Sequence, residues 1–183
     1  MNTDTLARSV IGKPIVRILG AAMESRFRYR LFPPDRVLEG VDRLAGHAVL
    51  EVGCGTGYFT IPAARMIGDQ GSLVAIDIVA DAVDLVSKKL QAVNLSNVRV
   101  VKTDALRTNF DGGRFDTVLL FGVIPAPMLP LARLLPEMHR LLRPNGNLAI
   151  WPPIPAWLPR SILKSHLFAL ASKRNHVYNF TRC

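Results

Sequence analysis

The residues Glu51-Val52-Gly53-Cys54-Gly55-Thr56-Gly57 place three alternating glycines just after an acidic side chain. Glycines at this density let a backbone turn tightly and let a ligand approach without meeting a Cβ. The run follows a short apolar segment, residues 48–52, and opens a helix-spaced segment, residues 58–67. That context puts the loop at the carboxyl end of a first strand, where open α/β sheets bind nucleotides. A dinucleotide fingerprint, G-x-G-x-x-G, requires a further glycine where Tyr58 stands, and it rests a pyrophosphate on helix amides. G-x-G-x-G beside Glu51 suits a nucleoside ligand with no phosphate and a cationic tail. S-adenosylmethionine fits: it carries an ammonium, a carboxylate and a sulfonium. The bland alternative is a glycine turn with a surface glutamate. About 20 residues beyond Gly57, Asp77 ends a second apolar strand. A carboxylate there can accept both ribose hydroxyls, or it can simply complement the dipole of the next helix.

The elements that must position these groups alternate. Strands are predicted at residues 48–52, 73–76, 98–101, 115–121 and 147–151, and helices at 58–67, 81–93 and 129–142. In the second helix Val83, Leu85, Val86 and Leu90 are expected to face inward, and Lys88 and Lys89 outward. Ahead of the core, Val10, Val16, Ile18 and Leu19 form a loose apolar set, Pro33-Pro34 breaks the chain, and Asp35 is expected to cap a short helix through Leu38, Val41 and Leu44. Arg143-Pro144-Asn145-Gly146 reads as a turn. The tail is expected to hold a helix at 158–170, then an antiparallel hairpin of 168–172 and 177–180 around Lys173-Arg174-Asn175-His176. Short apolar strands alternating with helices imply a doubly wound, mostly parallel sheet covered on both faces.

The motifs resemble those of the class I, seven-stranded, Rossmann-like methyltransferases that use S-adenosylmethionine, especially the small-molecule and quinone-biosynthesis members. The resemblance runs from about Arg36 to Trp151 and weakens in the tail. It implies a seven-stranded sheet with a closing C-terminal antiparallel hairpin. It also implies that Gly53, Cys54, Gly55, Thr56 and Gly57 face the methionine part of the cofactor, with Glu51 near its amino group. Asp77 would take the ribose, with Ile78 beside the adenine. Asp104 would accept from the adenine amino group and Ala105 would offer its amide, although Asp104 also suits an Asx turn. Phe121 and Gly122, at the end of the fourth strand, would meet the cofactor mainly through their backbone. S-adenosylhomocysteine would be the product.

The chain departs from many small-molecule relatives after Gly122. Val123-Ile124-Pro125-Ala126-Pro127 offers no acid or base, and no carboxylates for a metal-dependent mechanism. The Asn/Asp-Pro-Pro-aromatic motif of amino-methylating nucleic-acid enzymes is missing at this place, and Trp151-Pro152-Pro153 follows the fifth strand instead. Cys54 lies in the glycine loop and Cys183 is terminal, so neither is set as a cytosine-attacking nucleophile. No catalytic side chain is identified and no metal is expected. Candidate substrate contacts are Arg28, Tyr29, Arg30, His139 and His166. His139 and His166 also read as surface or packing residues, and the arginines as a solvated face. Asp116, at the start of the fourth strand, reads as structural.

The 183 residues suit one domain: an N-terminal helical lid at 1–35, a cofactor core at 36–151 and a closing helix and hairpin at 152–183. Two cysteines suggest no disulfide framework, so a cytoplasmic location is expected. No signal peptide or membrane span is expected: the longest apolar stretch, 117–132, is interrupted by Pro125, Pro127 and Pro130. The net charge of +9 sits at the ends, since residues 151–183 hold five basic groups and no acidic one. Such a bias fits a solvated surface, and it also attracts nucleic acid, anionic lipid or an acidic substrate. The leading reading is methyl transfer to a small apolar or aromatic acceptor, with nucleic acid not favoured as a partner and a homo-oligomer compatible with the sequence. The alternatives are methylation of RNA or protein, or a non-catalytic S-adenosylmethionine-binding module. A nicotinamide oxidoreductase is disfavoured by Tyr58.

Overall fold

The computed structural model describes residues 26–125, 129–152 and 159–183. The apolar set before residue 26, most of the expected lid, and residues 126–128 and 153–158 of the apolar loops lie outside the described residues.

In chain order the elements are α1 (Arg26–Leu31), α2 (Pro34–Leu38), β1 (Ala48–Val52), α3 (Thr60–Ile67), β2 (Ser72–Asp77), α4 (Ala80–Ala92), β3 (Val98–Lys102), β4 (Phe115–Phe121), α5 (Leu131–Leu141), β5 (Leu142–Trp151), α6 (Arg160–Leu163), β6 (Phe168–Arg174) and β7 (Val177–Arg182). The seven strands form one sheet in the order β3-β2-β1-β4-β5-β7-β6. β1 to β5 run parallel, and β7 is antiparallel to both β5 and β6. Both faces are covered, which is why the central strands read as nearly continuous apolar runs. On one face Val49, Leu73, Leu119 and Ala149 pack with Ala63, Ala64 and Ile67 of α3 and with Val37 and Leu38 of α2. On the other, Leu50, Val74, Val118, Leu120, Leu148 and Ile150 pack with Leu134, Leu135, Met138 and Leu141 of α5 and Ile162 of α6.

Several expectations are corrected. Asp35 does not cap α2; Pro33 holds the N-cap position and Pro34 starts the helix, where its missing N–H costs nothing. That helix ends at Leu38, with Val41 and Leu44 buried beyond it. In α4 the buried side chains are Val86 and Leu90, whereas Leu85 is exposed because it sits a 100° step away from Val86. Lys89 does not simply face water: its Nζ donates to the Thr56 carbonyl at 3.0 Å. α3 starts at Thr60 rather than Tyr58. β5 begins at Leu142 and carries the expected turn as a bulge, the pairing jumping from Phe115↔Leu142 to Thr117↔Asn147.

The expected tail helix shrinks to α6. Ser165 Oγ donates to the Ile162 carbonyl at 2.6 Å, and His166 adopts φ +57, so the chain leaves the helix and enters β6 at Phe168. The hairpin itself forms, with Asn175 and His176 at φ +46 and +62 as the two-residue turn between β6 and β7.

Two polar struts tie distant segments together. Asn179 is fully buried; its Nδ2 donates to the Gly40 carbonyl at 2.8 Å, and its Oδ1 accepts from the Asp42 amide at 3.1 Å and from Asn147 Nδ2 at 3.0 Å. Glu137 on α5 accepts from the Thr108 amide and hydroxyl at 3.0 and 2.8 Å and pairs with Arg140. The Arg140 hydrogen bond is the main reason its carboxyl is held down to about 2. No helix among the described residues is long and apolar enough to cross a membrane.

Candidate active site

The glycine loop leaves the carboxyl end of β1 at the centre of the sheet. Gly53, Gly55 and Gly57 have φ of +76, +52 and +84, the left-handed region in which a side chain is strained. At Gly53 space is also excluded: an added Cβ would lie 2.4 Å from Cγ1 of Val123, in the loop after β4. The loop is stitched to β2, since the amides of Gly53 and Cys54 both donate to the Ile76 carbonyl, at 2.8 and 3.0 Å.

Asp77, at the end of β2, grips the same loop. Its Oδ2 accepts from the Gly55 amide and its Oδ1 from the Val79 amide, each at 2.9 Å. Ile78 follows with 36% of its surface exposed, an apolar side chain at the rim. Asp104 makes the Asx turn weighed from sequence, its Oδ1 accepting from the Leu106 amide at 2.9 Å. Ala105 packs into the core. The Phe121 ring also packs inward, 5.0 Å from Phe59 and edge-on to it. Gly122 turns at φ +73 beside Trp151.

Glu51 is not a surface glutamate. It is 3% exposed and accepts from the Thr60 hydroxyl at 2.6 Å. Burial raises its pKa to about 7, with the nearby Asp77 charge adding to the rise and the Thr60 bond opposing it. Thr60 therefore spends its hydroxyl on Glu51 rather than on the helix end. The Cys54 thiol is pushed far above its ordinary value by burial and then by the Glu51 and Asp77 charges, so it supplies no thiolate nucleophile.

These residues suit the cofactor implied by the motif. The hydroxyl of Thr56 is buried with no hydrogen-bond partner among the described residues, a polar atom inside the loop still to be satisfied. The glycines leave the turn without Cβ atoms, so a ligand can approach its backbone closely, and the exposed Ile78 offers an apolar contact next to the Asp77 carboxylate.

The candidate substrate contacts separate. Tyr29 of α1 packs at 4.6 Å against Tyr58, the residue after Gly57, with the rings tilted by 54°, and Arg30 is exposed nearby. The side chain of Arg28 lies outside the described residues. His139 sits in the last turn of α5, next to the amino end of β5 and therefore at the opposite edge of the sheet; its Nε2 is 2.9 Å from the Cys183 carbonyl. His166 precedes β6 at that same far edge. Asp116 is also there, accepting from the Ala48 amide at 2.8 Å and pairing with Arg143.

The sequence reading did not single out the aromatic ladder that seats α1. Phe32 lies 5.5 Å from Trp151, Trp151 5.6 Å from Phe59, and Phe59 4.9 Å from Tyr58, whose hydroxyl donates to the Phe32 carbonyl at 2.6 Å. These rings are scattered from residue 29 to residue 151, and no local spacing joins them.

A family profile described as "Methyltransferase domain" matches residues 49–146, more than half of the chain. Curated relatives include a demethylmenaquinone methyltransferase of Staphylococcus carnosus, 32% identical over 112 residues, covering 61% of this chain and 45% of the relative. A nocamycin O-methyltransferase of Saccharothrix syringae is 34% identical over 121 residues, covering 66% and 42%. The chain spans about half the length of the curated relatives it matches. Among solved structures, an S-adenosylmethionine-dependent methyltransferase from Aquifex aeolicus superposes with a TM-score of 0.75 at 23% identity, covering 89% of this chain and 95% of that one. With the glycine loop, the acidic ends of β1 and β2, and the strand order in place, the chain belongs to the class I, Rossmann-like family of S-adenosylmethionine-dependent methyltransferase domains.

Proposed function

We propose that the chain transfers a methyl group from S-adenosylmethionine to a small, apolar or aromatic acceptor. The observation that carries this reading is the Asp77 carboxylate held against the Gly55 amide at 2.9 Å, which locks a ribose-binding carboxylate and a phosphate-free glycine turn into one unit. The curated relatives are named for methylating small molecules, which supports a small acceptor over RNA or protein.

The bound cofactor supplies a methyl group on a sulfonium, activated because its departure leaves a neutral thioether. The residues of the chain bind and orient. The turn from Gly53 to Gly57, which carries no Cβ at its three glycines, and the Thr56 hydroxyl face the methionine part. Glu51 supplies negative potential beneath it, Asp77 takes the ribose, Ile78 lines the adenine, and Asp104 and Ala105 hold its polar edge. Phe121 and Gly122 close the base of the site. Described residues 122–125 offer no proton acceptor, so alignment for in-line attack supplies the rate. Val123 and Ile124 form an apolar wall, and α1 with the chain before it acts as a lid that keeps water out. On this reading residues 1–35 are the lid, 36–151 the cofactor core and 152–183 the closing helix and hairpin, all in one cytoplasmic domain.

Calorimetry with S-adenosylmethionine and NAD, followed by transfer of a tritiated methyl group to a fractionated cell extract, tests the proposal. Binding of S-adenosylmethionine and label in the small-molecule or lipid fraction are expected. Preferential NAD binding, or label confined to RNA or protein, overturns it.

A further inference from the structure

The five basic residues after Trp151 have no acidic neighbour in that segment, and the site described above uses none of them. Two are spent within the fold. Arg174 pairs with Asp42 at 2.9 Å, and Arg182 turns inward to the Leu142 carbonyl and His139. Arg160, Lys164 and Lys173 remain exposed. The hairpin register puts Phe168, Leu170 and Lys173 opposite Arg182, Phe180 and Tyr178, on the sheet face that α6 covers with Ile162. α6 packs against β6, the outermost strand. Leu163 of α6 is 43% exposed and Leu170 of β6 is 48% exposed. Lys173 holds its ammonium 4.6 Å from the Tyr178 ring.

We infer that this face of α6 and β6 docks on an anionic lipid bilayer. Exposed aliphatic side chains among exposed cations are what an anionic interface rewards, the leucines entering the headgroup boundary and the cations meeting lipid phosphate. Single-stranded nucleic acid is served less well, because it rewards aromatic platforms and Phe168, Tyr178 and Phe180 are all buried. A second copy across a two-fold axis would set Lys164 and Lys173 against their own kind. The turn at Asn175-His176 lies at the same sheet edge as the glycine loop, because Val177 follows the register that pairs Ile150 with Tyr178. The docked face therefore shares a sheet end with the glycine loop but stands four strands away from β1. This inference stands on surface chemistry and does not depend on the reaction.

The test is co-sedimentation of the full chain with vesicles of phosphatidylcholine alone and of equal parts phosphatidylcholine and phosphatidylglycerol, at low and high salt. Binding to the anionic vesicles, weakened by salt, is expected. K164E/K173E should lower it by about tenfold or more, and Leu163→Ser with Leu170→Ser should lower it as well. Far-UV circular dichroism and S-adenosylmethionine affinity of both variants should match the parent, since all four side chains are exposed and remote from the glycine loop. Each of these results overturns the inference: no binding to anionic vesicles, equal binding to neutral ones, variants that bind like the parent, or tighter binding to single-stranded RNA lost in K164E/K173E. Self-association of the parent that disappears in the leucine variant also overturns it, assigning the face to a second copy.

Discussion

Asp77 and Gly55 are joined across 22 residues by a 2.9 Å hydrogen bond from the Gly55 amide to the Asp77 carboxylate. The same carboxylate accepts from Val79 with its other oxygen, so the end of β2 braces the glycine loop before any ligand arrives. A preorganised site spends less binding energy on ordering.

Asp77→Ala therefore loses two things. Cofactor affinity should fall by about 1–3 kcal/mol through lost charge-assisted bonds to the ribose, and thermal stability should also drop because two backbone amides lose their acceptor. Far-UV circular dichroism should remain that of the parent. Calorimetry and thermal melts read the two effects separately. A melting temperature that falls while S-adenosylmethionine affinity stays at the parent value would show that Asp77 is only a loop brace.

Glu51 makes stability and binding depend on pH in opposite senses. Its carboxyl rises from 4.5 to about 7 on folding, so the folded protein binds the extra proton and stability is lost as pH rises from 4.5 through 7. The loss is on the order of 3 kcal/mol for this wholly buried group. Glu51→Gln should melt higher than the parent at pH 8 and converge with it near pH 4.5. A ligand bearing an ammonium favours the carboxylate, so affinity of the parent should climb as pH rises towards 7 and level off above it, and the Gln variant should lack that climb. Parallel melting curves for the two proteins from pH 5 to 8 would refute the assignment.

Gly53 carries two separable constraints. Gly53→Ala incurs strain at φ +76, about 1–2 kcal/mol, and a clash with Val123, about 1–3 kcal/mol. Adding Val123→Ala should restore the steric part of the stability and leave the conformational part lost. Denaturant unfolding of the single and double variants measures both. Full recovery in the double variant would mean that the left-handed turn is not required.

The lid assignment predicts that removing residues 1–24 changes cofactor affinity modestly and cuts methyl transfer severely. Phe32→Ala, which removes the ring packed on Trp151, should lower turnover in the same direction. Normal turnover in both variants would reduce α1 to a cover over Tyr58 and Trp151.

What the sequence determined by itself was local. The glycine spacing, the acidic residues that close β1 and β2, and the apolar runs of 48–52 and 115–121 are read along the chain, because turn chemistry and burial period depend on neighbours only a few residues apart. They sufficed for the sheet class, the glycine turn after β1 and the hairpin at Asn175-His176. Tertiary structure alone decided which charges are hidden. Glu51 becomes a buried group titrating near 7 because the packed fold takes it out of water, with Asp77 adding to the rise and the Thr60 bond opposing it. Lys89 turns from a solvent-facing residue into a partner of the Thr56 carbonyl because α4 lies along the loop. Val123 reaches Gly53 across 70 residues, and Asn179 reaches Gly40 across 139. His139 falls at the far edge of the sheet because α5 runs back to the start of β5, a direction that helical periodicity does not encode. Periodicity says which face of an element is apolar; only the packed fold says what that face meets, and with it the dielectric and the partners that set each group's chemistry.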